Sequence, residues 1–411
     1  MGLSRRRFLK YAGAGGIAVA GFPAIIRRAH AEDTVKVAAM HDRTGAHGIY
    51  GKEMDDAAKF VAEEINAGGG VMGKQIDLVA FDTGSNMQNY AQYAQRVATQ
   101  DKVSVVFGGI SSASRETVRP IFDRYKMLYF YNTFYEGGVC DKTVFVNGET
   151  PAQMIGPALE YSTAKYNAKK LYTIWADYNY GQICSKWLNQ FAKEKGYEVV
   201  ASEFFPLDVA DFSSAITKIQ QAKPDMVVSG LVGAAHIGFY RQWPAAGMLG
   251  QIPLHSTVFG PWEKSFLKPE EVEGIVTSFH YFQTIDTPAN KAFLDKWHAK
   301  FGADYAELGT LAVCTYNAFY LWKAAVEKAG SLEREAVIAA LESPVSFDGP
   351  GGKVTVQPTS HHSFMTINIT EVHGGQFDIV KTVPDVEPSD TSSVCDLIAN
   401  PNQATQYIPE G

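Results

Sequence analysis

The sequence has little of what would mark an enzyme, a metalloprotein or a membrane-embedded protein. Its 411 residues include four cysteines, and none of them stands in a Cys-x-x-Cys or metal-ligand spacing. G-x-S-x-G and H-E-x-x-H motifs are absent. Beyond the amino terminus, no apolar run approaches the ~20 residues that a membrane span requires. We therefore expect a protein without catalysis, cofactor or bound metal.

Positive charge is concentrated at the amino terminus. Three arginines at 5–7 precede Phe8-Leu9 and a Gly- and Ala-rich apolar run at 11–26, an order similar to that of a twin-arginine signal peptide. Ala29-His30-Ala31 supplies the small residues that signal peptidase needs. The alternative of an uncleaved anchor is disfavoured, because the run is short and is followed by two further arginines. We expect cleavage near Ala31 and a periplasmic mature protein.

The remainder of the chain is acidic. Residues 1–31 carry six basic and no acidic side chains, so their removal changes the formal charge from −7 to −13. A nucleic acid or an anionic membrane surface would need a basic face, so neither is expected as a partner. About 380 residues exceed what one hydrophobic core usually organises, which favours two lobes.

Short β-rich runs alternate with amphipathic helical stretches, beginning with a strand at 35–40 and a helix at about 50–67. This alternation predicts α/β architecture with mostly parallel sheets. Two series of strands follow, one on each side of residue 150: 35–40, 76–81, 103–107, 127–131 and 144–147, then 171–175, 198–205, 226–229, 254–258 and 275–279. The fold class predicted is therefore two doubly wound, Rossmann-like lobes.

The chain beyond residue 283 breaks the alternation. Residues 288–341 read as three helices without a strand, and we expect them to return to the first lobe. Short strands at 352–356, 365–369 and 377–380 would then join the second lobe. The lobes predicted are 32–150 plus 283–349 and 151–282 plus 350–385, with a surface tail at 386–411. Three crossings, near 150, 283 and 349, would form a hinge around a cleft.

Three local patterns have competing interpretations. GGGVMGK at 68–74 has the spacing of a phosphate-binding loop, but it follows a helix and lacks the final Ser or Thr, so a helix-terminating turn is preferred. His361-His362 has no further ligand nearby, which favours a polar loop over a metal site. Of the cysteines, Cys140 and Cys395 are the preferred disulfide pair, because one lies in a loop and the other in the tail; Cys184 and Cys314 read as buried thiols.

Ligands of open α/β sheets bind at the carboxyl ends of the strands, where loops and helix N-termini present free N–H groups. Three such ends carry hydroxyls and aromatic rings: GGISSASR at 108–115, YNTFYEG at 131–137 and DYNYG at 177–181. This combination suits a small neutral or zwitterionic solute. Helix capping by Ser112 and core packing by the tyrosines are the alternative interpretations.

The same segments resemble those of a known family. GGISSASR, LYFY at 128–131, YEGGVC at 135–140, ETPAQ at 149–153, Asp177-Tyr178, FDGP at 347–350 and HHS at 361–363 are similar to the urea and short-chain amide branch of the Leu/Ile/Val-type periplasmic binding proteins. The resemblance covers the mature chain. It implies a type I fold, no catalysis and, as partner, the permease subunits of an ABC importer. We also expect a monomer.

The resemblance also implies ligand-binding residues. Ser112 would hydrogen-bond the ligand from the first lobe, with Tyr131 and Thr133 facing it. Tyr178 or Tyr180 would supply the second-lobe tyrosine. Tyr50 would approach the ligand from the first βα loop.

Amino-acid binders of this family hold the α-ammonium with an acidic residue of the second lobe. Here the corresponding loop, 255–260, has no carboxylate before Glu263, and a buried ammonium without a counter-charge is costly. We therefore expect urea or a short-chain amide. A branched-chain or other amino acid is the alternative ligand. An amide-sensing regulatory receptor and a periplasmic amide hydrolase are alternatives of other classes, disfavoured by the export signal and by the missing nucleophile motifs.

Overall fold

The computed structural model describes residues 34–410, so the predicted signal peptide and its cleavage site lie outside the described residues. The first lobe is built on a parallel sheet of order β2-β1-β3-β4-β6. The strands of this sheet are β1 Thr34–His41, β2 Gln75–Asp82, β3 Val106–Gly108, β4 Tyr129–Tyr131 and β6 Val144–Val146. The short β5 Val139–Asp141 lies between β4 and β6 in sequence but outside this sheet.

The second lobe is built on a mixed sheet of order β12-β13-β14-β11-β10-β9-β7-β8, with β15 paired to β14. In the sheet, β8, β7, β9, β10 and β11 are neighbours in that order and pair in parallel. Strand β14 is antiparallel to β11, β13 and β15. Their bounds are β7 Lys170–Ala176, β8 Glu198–Phe205, β9 Met226–Gly230, β10 Leu254–Ser256, β11 Val276–Phe279, β12 Ser346–Gly349, β13 Gly352–Val356, β14 Ser363–His373 and β15 Gln376–Val386. The predicted α/β fold with two parallel-sheet lobes is confirmed.

Helices cover both faces of each sheet, as connections between parallel strands require. Their bounds are α1 Gly48–Ala67, α2 Met87–Arg96, α3 Ser112–Tyr125, α4 Pro151–Met154, α5 Gly156–Tyr166, α6 Asn179–Lys195, α7 Ser213–Ala222, α8 Gly233–Ala245, α9 Pro261–Lys264, α10 Pro288–Phe301, α11 Thr310–Ala329, α12 Arg334–Leu341 and α13 Ser389–Ser392. Across residues 34–410, none of the helices combines the length and the apolarity that crossing a membrane requires.

Helices α10, α11 and α12 occupy the segment that was predicted to return to the first lobe. Phe319 on α11 stacks on Phe107 of β3 with ring centroids 3.8 Å apart, and Trp297 on α10 packs against Phe60 of α1. These contacts place the three helices on the first sheet. β12, which the sequence did not predict, pairs with β13 of the second sheet, while its Phe347 stacks on Tyr320 of α11.

The carboxyl-terminal segment is more ordered than the extended surface tail expected from its composition. It contains α13 and a short strand, β16 Ala404–Gln406, that pairs antiparallel with β5. A disulfide joins Cys140 to Cys395, the pair preferred from the sequence, with the Cα atoms 5.6 Å apart. Cys184 and Cys314 are free and buried. A cross-link and an exposed strand edge together order a segment that has little apolar periodicity of its own.

Candidate functional site

The carboxyl ends of the strands of both sheets face one another across a narrow cleft. Within the cavity between them, the centre of a water-sized sphere can occupy about 20 Å³. That is room for roughly one or two waters. Its walls include five of the six predicted ligand-binding residues, Tyr131 being the exception. The lining residues are His47, Tyr50, Ile110, Ser111, Ser112, Thr133, Phe134 and Leu311 from the first lobe, and Tyr178, Tyr180, Val232 and Val258 from the second.

The loop after β3 brings backbone and hydroxyls to the cleft. Gly109 has φ +84°, and a Cβ there would lie 2.5 Å from the Tyr129 hydroxyl, so the turn requires glycine. Ser111 caps α3, its Oγ accepting the Ser114 N–H at 3.1 Å. Because Ser111 performs the capping, the capping interpretation of Ser112 is wrong. The Ser112 hydroxyl instead donates to Glu136 Oε2 at 2.6 Å.

Glu136 is a buried carboxylate that the sequence analysis did not assign. Its Oε1 accepts Arg115 at 2.6 Å and Gln406 Nε2 at 2.9 Å, in addition to the Ser112 bond at Oε2. Burial alone would raise the pKa of Glu136, but the Arg115 guanidinium and these hydrogen bonds hold it below its usual value. Glu136 is therefore ionised at neutral pH and can only accept hydrogen bonds.

Thr133 and Tyr131 were predicted as a ligand-facing pair, and the structure separates them. Thr133 lines the cavity, with its hydroxyl donating to the Gly109 carbonyl at 2.8 Å. Tyr131 is buried behind the wall. Its hydroxyl donates to the Ile110 carbonyl at 2.7 Å, and its ring lies 5.2 Å from the Arg115 guanidinium. Tyr131 thus supports the loop that carries Ser112, as the core-packing interpretation had it.

The second-lobe wall is aromatic. Tyr178 and Tyr180 stack with centroids 6.1 Å apart, and the Tyr180 hydroxyl lies 3.0 Å from Thr257 Oγ1. Among the residues that the structure describes, none forms a hydrogen bond with the Tyr178 hydroxyl. Burial raises the pKa of Tyr178, so this hydroxyl stays protonated and is free to donate to a ligand.

Tyr50 connects the two walls. Its hydroxyl donates to Glu263 Oε1 at 2.5 Å and accepts the Gly233 N–H at 3.2 Å. Glu263, on α9, is fully buried and also accepts the Gly260 N–H. The sequence argument counted Glu263 as outside the ligand loop. In the structure Glu263 does not line the cavity, but one hydroxyl, that of Tyr50, separates its carboxylate from it.

Among the remaining lining residues, Ile110, Ser111 and Phe134 lie in the strand-end segments that the sequence singled out, but the others carried no recognisable signal. Val232, Val258 and Leu311 supply apolar surface, and their positions depend on how the lobes meet. His47 lies at the start of α1, with Nδ1 3.5 Å from Asp42. None of these side chains belongs to a motif whose spacing indicates a ligand.

Two other features are set apart from the cleft. An open groove of about 770 Å³ lies at the amino ends of the second-lobe strands, bordered by Asp225, Pro253 and Ile275; ligands of such sheets bind at the opposite end. Within residues 34–410, no group of three His, Cys, Asp or Glu side chains could hold a metal ion. His361 and His362 are buried, the first stacked on Phe145 and the second bonded to the Tyr135 hydroxyl.

Comparison with known proteins agrees with this arrangement. A family model described as periplasmic binding protein domain matches residues 35–394. The leucine-, isoleucine-, valine-, threonine- and alanine-binding protein of Pseudomonas aeruginosa is 25% identical over 350 residues, covering 82% of this chain and 89% of that protein.

Solved structures show the same fold. A solute-binding protein of an ABC transporter from R. palustris, in complex with 4-hydroxybenzoate, superposes with a TM-score of 0.76 at 24% identity, covering 87% of this chain and 98% of that one. A branched-chain amino acid transporter substrate-binding protein from Streptococcus pneumoniae, in complex with isoleucine, gives 0.74 at 22% identity, covering 85% and 99%. The chain therefore belongs to the periplasmic binding protein family, a family of binding proteins and not of enzymes, and has the type I fold of these solved structures.

Proposed function

We propose that this protein binds urea or a short-chain amide between its lobes. The observation that carries the proposal is the direction of two hydrogen bonds at the cleft. The Ser112 hydroxyl donates to Glu136 and the Thr133 hydroxyl donates to the Gly109 carbonyl. Each hydroxyl has a single proton. Both oxygens can therefore only accept from a ligand, which calls for a ligand with hydrogen-bond donors such as the N–H groups of an amide.

The opposite wall supplies the complementary group. The Tyr178 hydroxyl is free to donate, which suits a carbonyl oxygen. Among the described residues, no Asp, Glu, Lys or Arg side chain lines the cavity, so a net charge on the ligand would lack a direct partner. A molecule with N–H groups at one end and a carbonyl at the other matches both walls, and amides and urea have this form.

The size of the cavity supports the same class. With the lobes as close as they are, the space between them holds roughly one or two waters. Urea and acetamide would enter with a small separation of the walls. Isoleucine and hydroxybenzoate, bound by proteins of the same fold, have roughly twice as many non-hydrogen atoms and would need a wider opening.

A neutral amino acid is the second candidate, and Glu263 is the observation in its favour. Its carboxylate lies one hydroxyl away from the cavity, at Tyr50. Rotation of the Tyr50 ring would expose Glu263 to an α-ammonium. The relative from Pseudomonas aeruginosa is named as a protein that binds leucine, isoleucine, valine, threonine and alanine.

A thermal-shift screen of the mature protein tests both candidates. Urea, acetamide, propionamide, leucine and alanine are compared at equal concentration, and a ligand at a hundred times its dissociation constant should stabilise the fold by about 2.7 kcal/mol. Ser112→Ala should weaken the stabilising ligand, whereas Ser393→Ala, at an exposed serine outside the cleft, should not. A shift with leucine or alanine and none with the amides would overturn the amide proposal in favour of the second candidate.

We also propose the setting in which this binding occurs. In this proposal the lobes divide near residues 150, 283 and 349 and close by a hinge movement about these crossings. The bound solute passes to the permease subunits of an ABC importer, and the protein acts as a monomer. Sedimentation of the mature protein with and without ligand checks the last point, and a dimer under either condition would contradict it.

Export is proposed to follow the twin-arginine route. Replacing Arg5 and Arg6 by lysine should leave uncleaved precursor inside the cell, because that route reads the arginine pair. The matched control replaces Arg27 and Arg28 by lysine and should be exported normally. Cell fractionation and the amino-terminal sequence of the periplasmic protein give the answer; equal export of both variants would point to a different route.

A further inference from the structure

The carboxyl-terminal segment reaches the ligand cavity through a chain of hydrogen bonds. Gln406 Nε2 donates to Glu136 Oε1 at 2.9 Å and to the Gly137 carbonyl at 3.0 Å. Glu136 in turn accepts the hydroxyl of Ser112, which lines the cavity. Gln406 and Glu136 are 270 positions apart in sequence, so this chain exists only in the folded protein.

The two oxygens of Glu136 are used differently. Oε1 is occupied by two donors, Arg115 and Gln406. Oε2 is left for the Ser112 hydroxyl at 2.6 Å. An ionised carboxylate has no proton to give, so Ser112 must be the donor in this pair. The lone pairs of the Ser112 oxygen are then the only groups that it can offer to a ligand.

Gln406 is held in place by the fold. It lies on β16 opposite Val139 of β5, and the next residue, Tyr407, donates its N–H to the Gly138 carbonyl at 2.7 Å. The Cys140–Cys395 disulfide ties the same segment to β5. The Gln406 amide is therefore presented to Glu136 by a cross-linked two-stranded ribbon.

We propose that Glu136 and Gln406 are positioning residues that set ligand specificity, by forcing the Ser112 oxygen to accept rather than donate. The site would thereby select an N–H-bearing amide over the carboxylate of the same shape. This inference rests on the proposed function and adds to it the residues that decide between the two ligand types. It also makes the last residues of the chain part of the binding site.

The test compares acetamide with acetate, which differ in the group that Ser112 contacts. Affinities are measured by calorimetry for the wild-type protein and for Glu136→Gln, Gln406→Leu and Gln403→Leu. In Glu136→Gln the single amide oxygen is drawn to the two donors Arg115 and Gln406, so the amide NH2 faces Ser112. The Ser112 proton is then free for a ligand, and the preference for acetamide over acetate should fall by about tenfold, the effect of one hydrogen bond. Gln406→Leu leaves the ion pair intact and should lower the preference by about threefold.

Gln403→Leu is the matched control. Gln403 lies on the same segment and bonds to Thr405, so its loss should leave the preference unchanged. If Glu136→Gln does not fold because Arg115 loses its counter-charge, Gln406→Leu decides the question alone. Folded variants that keep the wild-type preference, or that weaken both ligands equally, would overturn the inference and leave these residues a structural role. A wild-type protein that binds no amide would overturn the proposed function first, and this inference with it.

Discussion

The two walls of the cleft are built in different ways. On the first-lobe wall, the hydroxyls of Ser112 and Thr133 are already bonded to protein acceptors, and a buried ion pair between Arg115 and Glu136 lies behind them. On the second-lobe wall, Tyr178 presents a ring and an unpartnered hydroxyl beside apolar side chains of the described residues. The hydroxyls of the first-lobe wall are fixed by hydrogen bonds within the protein, whereas the Tyr178 hydroxyl of the second-lobe wall is still available to a ligand.

For the proposed binding of a ligand in this cleft, the difference predicts an order of events. A wall whose hydrogen bonds are fixed before the ligand arrives loses little conformational freedom on binding. The ligand should therefore dock first on the first lobe, after which Tyr178 and the Tyr50–Glu263 bond between the lobes close over it. Closure of this kind is a shift between open and closed states that the ligand favours by contacting both walls.

The largest effect should come from removing the cation of the first-lobe wall. Arg115→Met leaves the Glu136 carboxylate buried without its counter-charge, which should lower the free energy of unfolding by roughly 3–5 kcal/mol. The double variant Arg115→Met with Glu136→Met should recover most of that loss, since no buried charge remains. Urea denaturation measures both. Equal losses in the single and double variants would show that the ion pair does not explain the rigidity of this wall.

The disulfide behind the same wall should have the next largest effect. Cys140→Ser together with Cys395→Ser opens a loop spanning 255 residues and should lower the free energy of unfolding by about 2–4 kcal/mol. Replacing the free, buried Cys184 by alanine is the control and should cost about 1 kcal/mol. Thermal unfolding with and without reductant gives the comparison. A wild-type protein insensitive to reductant, with a stable double serine variant, would contradict it.

Asp390 should make the free energy of unfolding depend on pH. Its carboxylate accepts the Thr150 hydroxyl and the Ala152 N–H at the first crossing between the lobes, and burial raises its pKa to about 6 from an ordinary 3.8. A carboxyl whose pKa is raised by folding holds its proton more tightly in the folded state. The free energy of unfolding therefore falls as the pH rises from about 4 to about 6.

In Asp390→Asn the side-chain amide does not titrate, so the free energy of unfolding of this variant should not fall over that pH interval. The variant should gain stability relative to the wild type by roughly 2–3 kcal/mol across that interval, at 1.36 kcal/mol per pKa unit. Melting temperatures measured at half-unit steps from pH 4 to pH 8 show the difference. A constant offset between the two proteins over the whole range would mean that Asp390 does not titrate there.

The smallest effects should separate the two tyrosines of the second-lobe wall. Tyr178→Phe removes a hydroxyl that has no hydrogen-bond partner among the described residues, so stability should change by less than about 0.5 kcal/mol while ligand affinity falls about tenfold. Tyr180→Phe breaks the bond with Thr257 and should lower the free energy of unfolding by about 1 kcal/mol. Calorimetric titration and denaturation are run on both variants. A stability loss in Tyr178→Phe would show that this wall is also fixed in advance.

Much of the fold could be predicted because its signals are local. Strands such as β8 and β13 were predicted with the bounds that the structure has, since a short β-rich run between turn residues needs no distant information. β12, β5 and β16 were missed. Each is short, and each forms because a partner strand offers a free edge, which no local pattern reports.

The sequence predicted most of the residues of the candidate site but not the hydrogen bonds that they form. Five of the predicted residues line the cavity and lie in the loops after the strands or in the first turn of the helices that follow: Ser112, Thr133, Tyr178, Tyr180 and Tyr50. Tyr131, at a strand end as well, points its hydroxyl back to the Ile110 carbonyl. Glu263 was judged by its distance along the chain, whereas its role depends on the contact of α9 with Tyr50 across the cleft.

By itself, the amino-acid sequence determined the class of molecule: an α/β protein of two lobes, with hydroxyl-bearing loops at strand ends. These properties follow from periodicity and composition, which act over a few residues. Only the tertiary structure decided which hydrogen bonds those loops have left to offer a ligand. The direction of the Ser112 hydrogen bond depends on Glu136, Arg115 and Gln406. A disulfide and strand pairing bring these residues together from distant parts of the chain. A hydroxyl donates its proton to the acceptor that is nearest in space, whatever its distance along the sequence.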